Sequence, residues 1–113
     1  QRVRWLCADV AATGLGSASA DLVLCFDSFP HFPDGGAVLR EVVRWLRPGG
    51  RFLLWHDIGR HDLADVHRRA GPPVDGDVLP PVEHLAGLAE AAGLLVERAE
   101  EDATSYTFFA VRR

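Results

Sequence analysis

The 113 residues predict one α/β domain of Rossmann-like type, with a mostly parallel sheet and a carboxyl-terminal antiparallel hairpin. Three observations carry that expectation. The run Leu22-Val23-Leu24-Cys25-Phe26 is apolar without alternation, the pattern of a central strand covered on both faces. Leu39, Val42, Val43 and Leu46 recur at helical spacing between that run and a further strand at residues 51–55. A strand, helix and strand joined this closely make a right-handed crossover, which sets the two strands parallel. Length supplies the third: 113 residues and 12.4 kDa make one domain that buries roughly 65 % of its unfolded surface, not two.

Taken in order, residues 3–7 read as a short strand ending at Asp9, followed by a loop of small residues over 11–20. The strand at 22–26 stops at Asp27. Pro30 and Pro33 make the next segment a loop leaving the carboxyl end of that strand. Asp34 caps a helix over 36–47, with Arg40, Glu41, Arg44 and Arg47 on its outer face. Pro48 ends it, and Gly49-Gly50 supplies a tight turn into the strand at 51–55. Residues 58–81 hold Pro72-Pro73, Pro80-Pro81 and three glycines, so they read as an irregular excursion with at most one short helix near 62–69. Excursions of this length inside a domain are often lids or binding loops. A helix over 82–92 closes at Gly93, and strands at 94–100 and 105–111 form the final hairpin.

Composition excludes several function classes. Apolar residues make up 48 % and charged residues 25 %, the balance of an ordinary globule, and no run is long enough to span a membrane. A net charge of -4 and a pI near 5.7 argue against nonspecific binding to nucleic acid or an anionic membrane; all twelve basic side chains are Arg. Cys7 and Cys25 are too few for a disulfide scaffold and sit in apolar runs, so reduced thiols and a cytoplasmic location are expected. The chain has no Met and begins at Gln1 without a leader pattern, which reads as a piece of a longer polypeptide.

In open parallel sheets ligands bind outside the carboxyl ends of the strands, where Asp9-Val10, Asp27-Ser28, the His31 loop and His56-Asp57 are expected to converge. Five segments there and beyond carry a likeness: Asp21-Leu22-Val23-Leu24, His31-Phe32-Pro33-Asp34, Leu39-Arg40-Glu41, Trp45-Leu46-Arg47-Pro48-Gly49-Gly50-Arg51, and Leu88-Ala89-Glu90-Ala91-Ala92-Gly93-Leu94. In order and spacing they resemble class I S-adenosylmethionine-dependent methyltransferases, from the third to the seventh strand of that fold. The resemblance implies S-adenosylmethionine as cofactor and methyl transfer to a small-molecule oxygen, nitrogen or carbon, with the 58–81 excursion bounding the acceptor. It implies Asp9 against the adenine amine, the backbone of Val10 on the same ring, and the backbone of Phe26 and Asp27 beside the methionine part. Phe26 is bulky for such a position. A carboxylate accepting from the amine while a backbone N–H donates to a ring nitrogen would read the base edge.

His31 and His56 are the candidate catalytic residues, since an imidazole titrates near neutrality and can take a proton from the acceptor. In-line displacement at a sulfonium can also proceed by alignment alone, which supplies on the order of 7–11 kcal/mol. Two features of the family are missing: the Gly-rich loop after its first strand and the acid that grips the ribose. Gly14-x-Gly16 follows the wrong strand to replace the loop. The strand at 22–26 is then expected to have an unpaired edge, filled by an upstream segment, by a homodimer, or by residues 3–7 moving in. Two rival readings follow: a noncatalytic half-domain that associates through this edge, and a metal-dependent hydrolase using His56, Asp57, His61 and Asp62.

Overall fold

The computed structural model describes residues 2–113. Its sheet has four strands in the order β1-β2-β4-β3: β1 (Ala20–Phe26), β2 (Leu46–His56), β3 (Leu94–Glu101) and β4 (Tyr106–Arg112). β1 and β2 are parallel, Leu24 lying opposite Leu53 and Phe26 opposite Trp55. β4 runs antiparallel to both β2 and β3, so the closing hairpin inserts its second strand beside β2. The sheet is therefore mixed, with one parallel pair among the described residues.

Crossing from β1 to β2, α1 (Gly35–Trp45) starts where Asp34 accepts from the Ala37 N–H at 3.0 Å. Removing that cap, as Asp34→Ala, is expected to lower stability by about 0.5–2 kcal/mol in urea unfolding. The helix ends at Trp45, two residues before its expected end, because Leu46 already turns to extended geometry. The Pro-Gly-Gly turn is present but lies inside β2. Ala20 pairs with Leu46 and Leu22 with Arg51, so residues 47–50 bulge out of the ladder. Gly49 takes a left-handed φ of 81° there.

α1 and α3 (Val82–Ala92) pack on one face of the sheet, burying Val38, Leu39, Val42, Leu85 and Ala89 against Phe52, Leu54, Phe108 and Ala110. The opposite face is open. Side chains alternate along a strand, so Leu22, Leu24, Phe26 and Trp55 come out on that face together and are exposed. Gly93 closes α3 at φ 108°, as its position predicts.

Residues 3–7 form no strand. They run exposed, with Trp5 at 88 %, and no other strand lies alongside them among the described residues. Apolar alternation becomes a strand only where a neighbouring backbone completes the ladder. Cys7 is accordingly exposed rather than buried, whereas Cys25 is buried; both thiols are free. The outer edge of β1 is unpaired among the described residues. Among the described residues no helix is long and apolar enough to cross a membrane.

The excursion holds more order than its composition predicts. α2 spans Arg60–Ala70, and the following loop returns across the carboxyl end of the sheet. Glu101 ties the two ends of this segment, accepting from Arg60 Nε at 3.0 Å and from the Val82 N–H at 2.8 Å. Gly59 lies against the hairpin turn so closely that an added Cβ would fall 2.1 Å from the Ala103 carbonyl oxygen. Gly59→Ala is expected to displace that turn, and a lowered melting temperature would report it.

Candidate active site at the carboxyl ends of β1 and β2

Alternation decides what stands at the end of β2. Phe52, Leu54 and His56 share the helix-covered face, so His56 is carried into the interior, 1 % exposed and edge-on to the Tyr106 ring at 6.0 Å. β1 stops at Asp27, whose φ of 52° lies in the left-handed region that Asp tolerates better than most residues. This turn brings Asp27 Oδ1 to 3.2 Å from His56 Nδ1. The approach suits charge attraction but is not aligned as a hydrogen bond, so both ring nitrogens are buried without a hydrogen-bond partner among the described residues. An unpartnered buried polar group has a desolvation cost.

Burial pushes the His56 imidazole below its ordinary value of 6.5, while the charges of Asp27 and Asp57 pull the other way. A depressed folded value means that the unfolded chain binds the proton more readily. The stability tied to neutral His56 is complete above pH 6.5 and is lost as the pH falls from there through the lower folded value. Urea unfolding of the native chain is therefore expected to weaken on acidification from 6.5 downward. His56→Gln flattens that part of the profile; a profile identical to the native one would remove His56 as its source.

His31 ends a single 3-10 turn, Phe29–His31, in the loop after β1. Its Nδ1 lies 2.8 Å from Asp77 Oδ2, and its ring stands 4.8 Å from that of His67. His67, on the inner side of α2, is buried and donates from Nδ1 to the Asp77 carbonyl at 2.7 Å. Buried Tyr106 donates to the Pro80 carbonyl at 2.8 Å, and burial pushes its phenol well above the ordinary range. The returning loop thus closes over the ends of β1 and β2.

Asp9 accepts from the Ala11 N–H at 2.8 Å through Oδ1, bending the chain so that Val10 meets the edge of β1. There Val10 joins Cys25, Ser28, Phe29 and Phe32 around an apolar cavity of about 150 Å³. Asp27 and His56 come together, His31 lies within their electrostatic reach, and Val10 borders the cavity beneath the same strand end. Phe26 turns its ring to the open face against Trp55, centroids 4.8 Å apart, away from the cavity. The run from His56 to Asp62 is divided: His56 is buried, whereas His61 and Asp62 are exposed on α2. Among the described residues no group of three or more His, Cys, Asp or Glu side chains could hold a metal.

Sequence reasoning missed Asp77 and Tyr106. Asp77 is 46 positions from His31, and no periodicity relates them. The one usable signal was the length of the excursion.

Comparison with known proteins agrees with this architecture. Residues 1–54 match a family model described as a methyltransferase domain. The chain is 35 % identical over 117 residues to a 27-O-demethylrifamycin SV methyltransferase of Amycolatopsis mediterranei, covering 94 % of the chain and 40 % of that protein. It is 33 % identical over 100 residues to the methyltransferase GfsG of Streptomyces halstedii, covering 82 % and 35 %. A SAM-dependent methyltransferase from Aquifex aeolicus superposes with a TM-score of 0.73 at 17 % identity, over 100 % of this chain and 56 % of that one. The chain thus spans well under half the length of the curated relatives it matches.

Proposed function

Because the chain belongs to the class I S-adenosylmethionine-dependent methyltransferases, we propose that it serves methyl transfer to a hydroxyl of a small molecule, with His31 as the base. The observation that carries this reading is the environment of His31: the imidazole lies in the loop leaving β1, within electrostatic reach of His56 at the end of β2, and its Nδ1 is occupied by Asp77, which leaves Nε2 for an acceptor. A relative named for an oxygen of demethylrifamycin supports the choice of a hydroxyl.

The residues present fit the two ends of the cofactor. The apolar cavity bordered by Val10, the residue after Asp9, suits an adenine ring, with the Asp9 carboxylate as the acceptor for its amine. Asp27 is a half-exposed carboxylate suited to the cationic end, and the orphaned nitrogens of His56 beside it can accept or donate to a polar ligand. Nothing in the sequence supplies a glycine-rich loop after a strand or a ribose-binding acid. When bound, S-adenosylmethionine would supply a methyl carbon made electrophilic by the sulfonium, whose sulfur would keep the C–S pair as a neutral thioether. His31 would take the acceptor's hydroxyl proton at Nε2 as the oxygen's electron pair forms the O–C bond, and would pass it to water.

Calorimetric titration with S-adenosylhomocysteine tests the cofactor half of this reading. Saturable binding that weakens in Asp27→Ala is expected; no heat at millimolar cofactor would overturn it. A second reading rests on the unpaired edge of β1 and the exposed Leu22, Leu24, Phe26 and Trp55 beside it: an interaction half-domain that pairs with another copy. Sedimentation at rising concentration tests it, and a monomer throughout removes it.

A further inference from the structure

We propose that Asp77, carried by the excursion, is a positioning residue for His31: its carboxylate holds the imidazole in the tautomer that a base requires. The inference rests on the reading of His31 as the base and adds a residue that neither sequence pattern nor family resemblance assigns.

The carboxylates at the two strand ends, Asp27 and Asp57, bear on His56, and neither forms an ion pair with His31 among the described residues. The acid facing His31 comes instead from 46 residues downstream, 2.8 Å from Nδ1. A carboxylate only accepts, so the neutral ring must place its hydrogen on Nδ1 and keep the lone pair on Nε2. Such a partner also fixes the ring's direction, as second groups do for imidazoles that must present one nitrogen.

Asp77 is itself held from several directions. Its carbonyl accepts from His67 Nδ1 at 2.7 Å, and its N–H donates to the Val74 carbonyl at 2.9 Å. Two residues on, Leu79 is buried in the core, and Pro80 is tied to Tyr106 of β4 at 2.8 Å. With the main chain pinned from α2, from its own turn and from the sheet, the carboxylate has little freedom except toward His31. The other titratable groups around His31 are His67 from α2 and His56 from β2, and His56 in turn feels the charges of Asp27 and Asp57. A chain tie needing only a polar surface contact would require neither the buried His67 nor this directed carboxylate.

The test reads the tautomer directly, by imidazole ¹⁵N NMR of the whole chain at about pH 8, where an ordinary imidazole is neutral. His31 is expected as the Nδ1–H form. Asp77→Asn is isosteric but can donate its amide N–H to Nδ1, and Asp77→Leu has no acceptor; in both, the Nδ1–H signal gives way to Nε2–H. An unchanged melting temperature across the pair would separate this from unfolding, and should Asp77→Leu unfold, Asp77→Ala repeats the comparison with less strain. A native Nε2–H form, or the same tautomer in native, Asn and Leu chains, would overturn the proposal. Its fate is separable from that of the base: if His31→Ala still methylates at the native rate while the tautomer follows Asp77, the positioning stands and the base reading falls.

Discussion

His31→Ala should lower the rate of methyl transfer about 10²–10⁴-fold, the usual contribution of a positioned general base, while S-adenosylhomocysteine binds as to the native chain. The split between the two readouts follows from geometry. His31 sits in the loop after β1 with Nδ1 taken by Asp77 and does not line the cavity of Val10 and Cys25, whose contacts remain when the imidazole is removed. Transfer of a tritiated methyl group from the cofactor to a panel of phenols and alcohols gives the rate. An undiminished rate would mean that alignment alone drives the displacement, an arrangement able to supply on the order of 7–11 kcal/mol without any base. Loss of both rate and cofactor affinity would instead assign His31 to binding.

The second large effect concerns the core. Phe108 is 0 % exposed at the centre of β4 and meets Phe52 of β2 edge-to-face, ring centroids 6.2 Å apart. Phe108→Ala removes this ring from between the sheet and the two helices, and such truncations cost about 3–5 kcal/mol. A domain of ordinary stability has only about 5–15 kcal/mol to lose. The urea midpoint is therefore expected to fall by about a fifth or more at unchanged slope, since the surface exposed on unfolding is nearly the same. A midpoint within error of the native value would show that the core closes over the vacancy. Phe109, the next residue, points to the open face beneath Arg98 and should be far more tolerant.

Much of this architecture was readable because it is written locally. Asp34, the stripe of Val42 and its neighbours, and Gly93 each act within one or two turns of the chain, and each lies where its spacing places it. The parallel relation of β1 and β2 follows from the helix between them, which returns the chain to the same end of the sheet. Residues 3–7 show the limit of such reasoning: their alternation is real, but a strand is a relation between two backbones. The candidate site was legible only at strand ends. Asp27 and His56 could be placed together because adjacent strands carry their termini to one edge, within about 4.8 Å of each other.

By itself, then, the sequence determined the crossover, the helix limits to within two residues, the final hairpin and the family, since all of these depend on periodicity and on short-range stereochemistry. Only the tertiary structure decided that β4 inserts beside β2, that His56 is buried while Trp55 beside it faces out, and that Asp77 reaches His31. The reason is physical. Contacts across tens of residues are selected by the joint packing of the elements between them, and no local preference of the residues that finally touch encodes the choice.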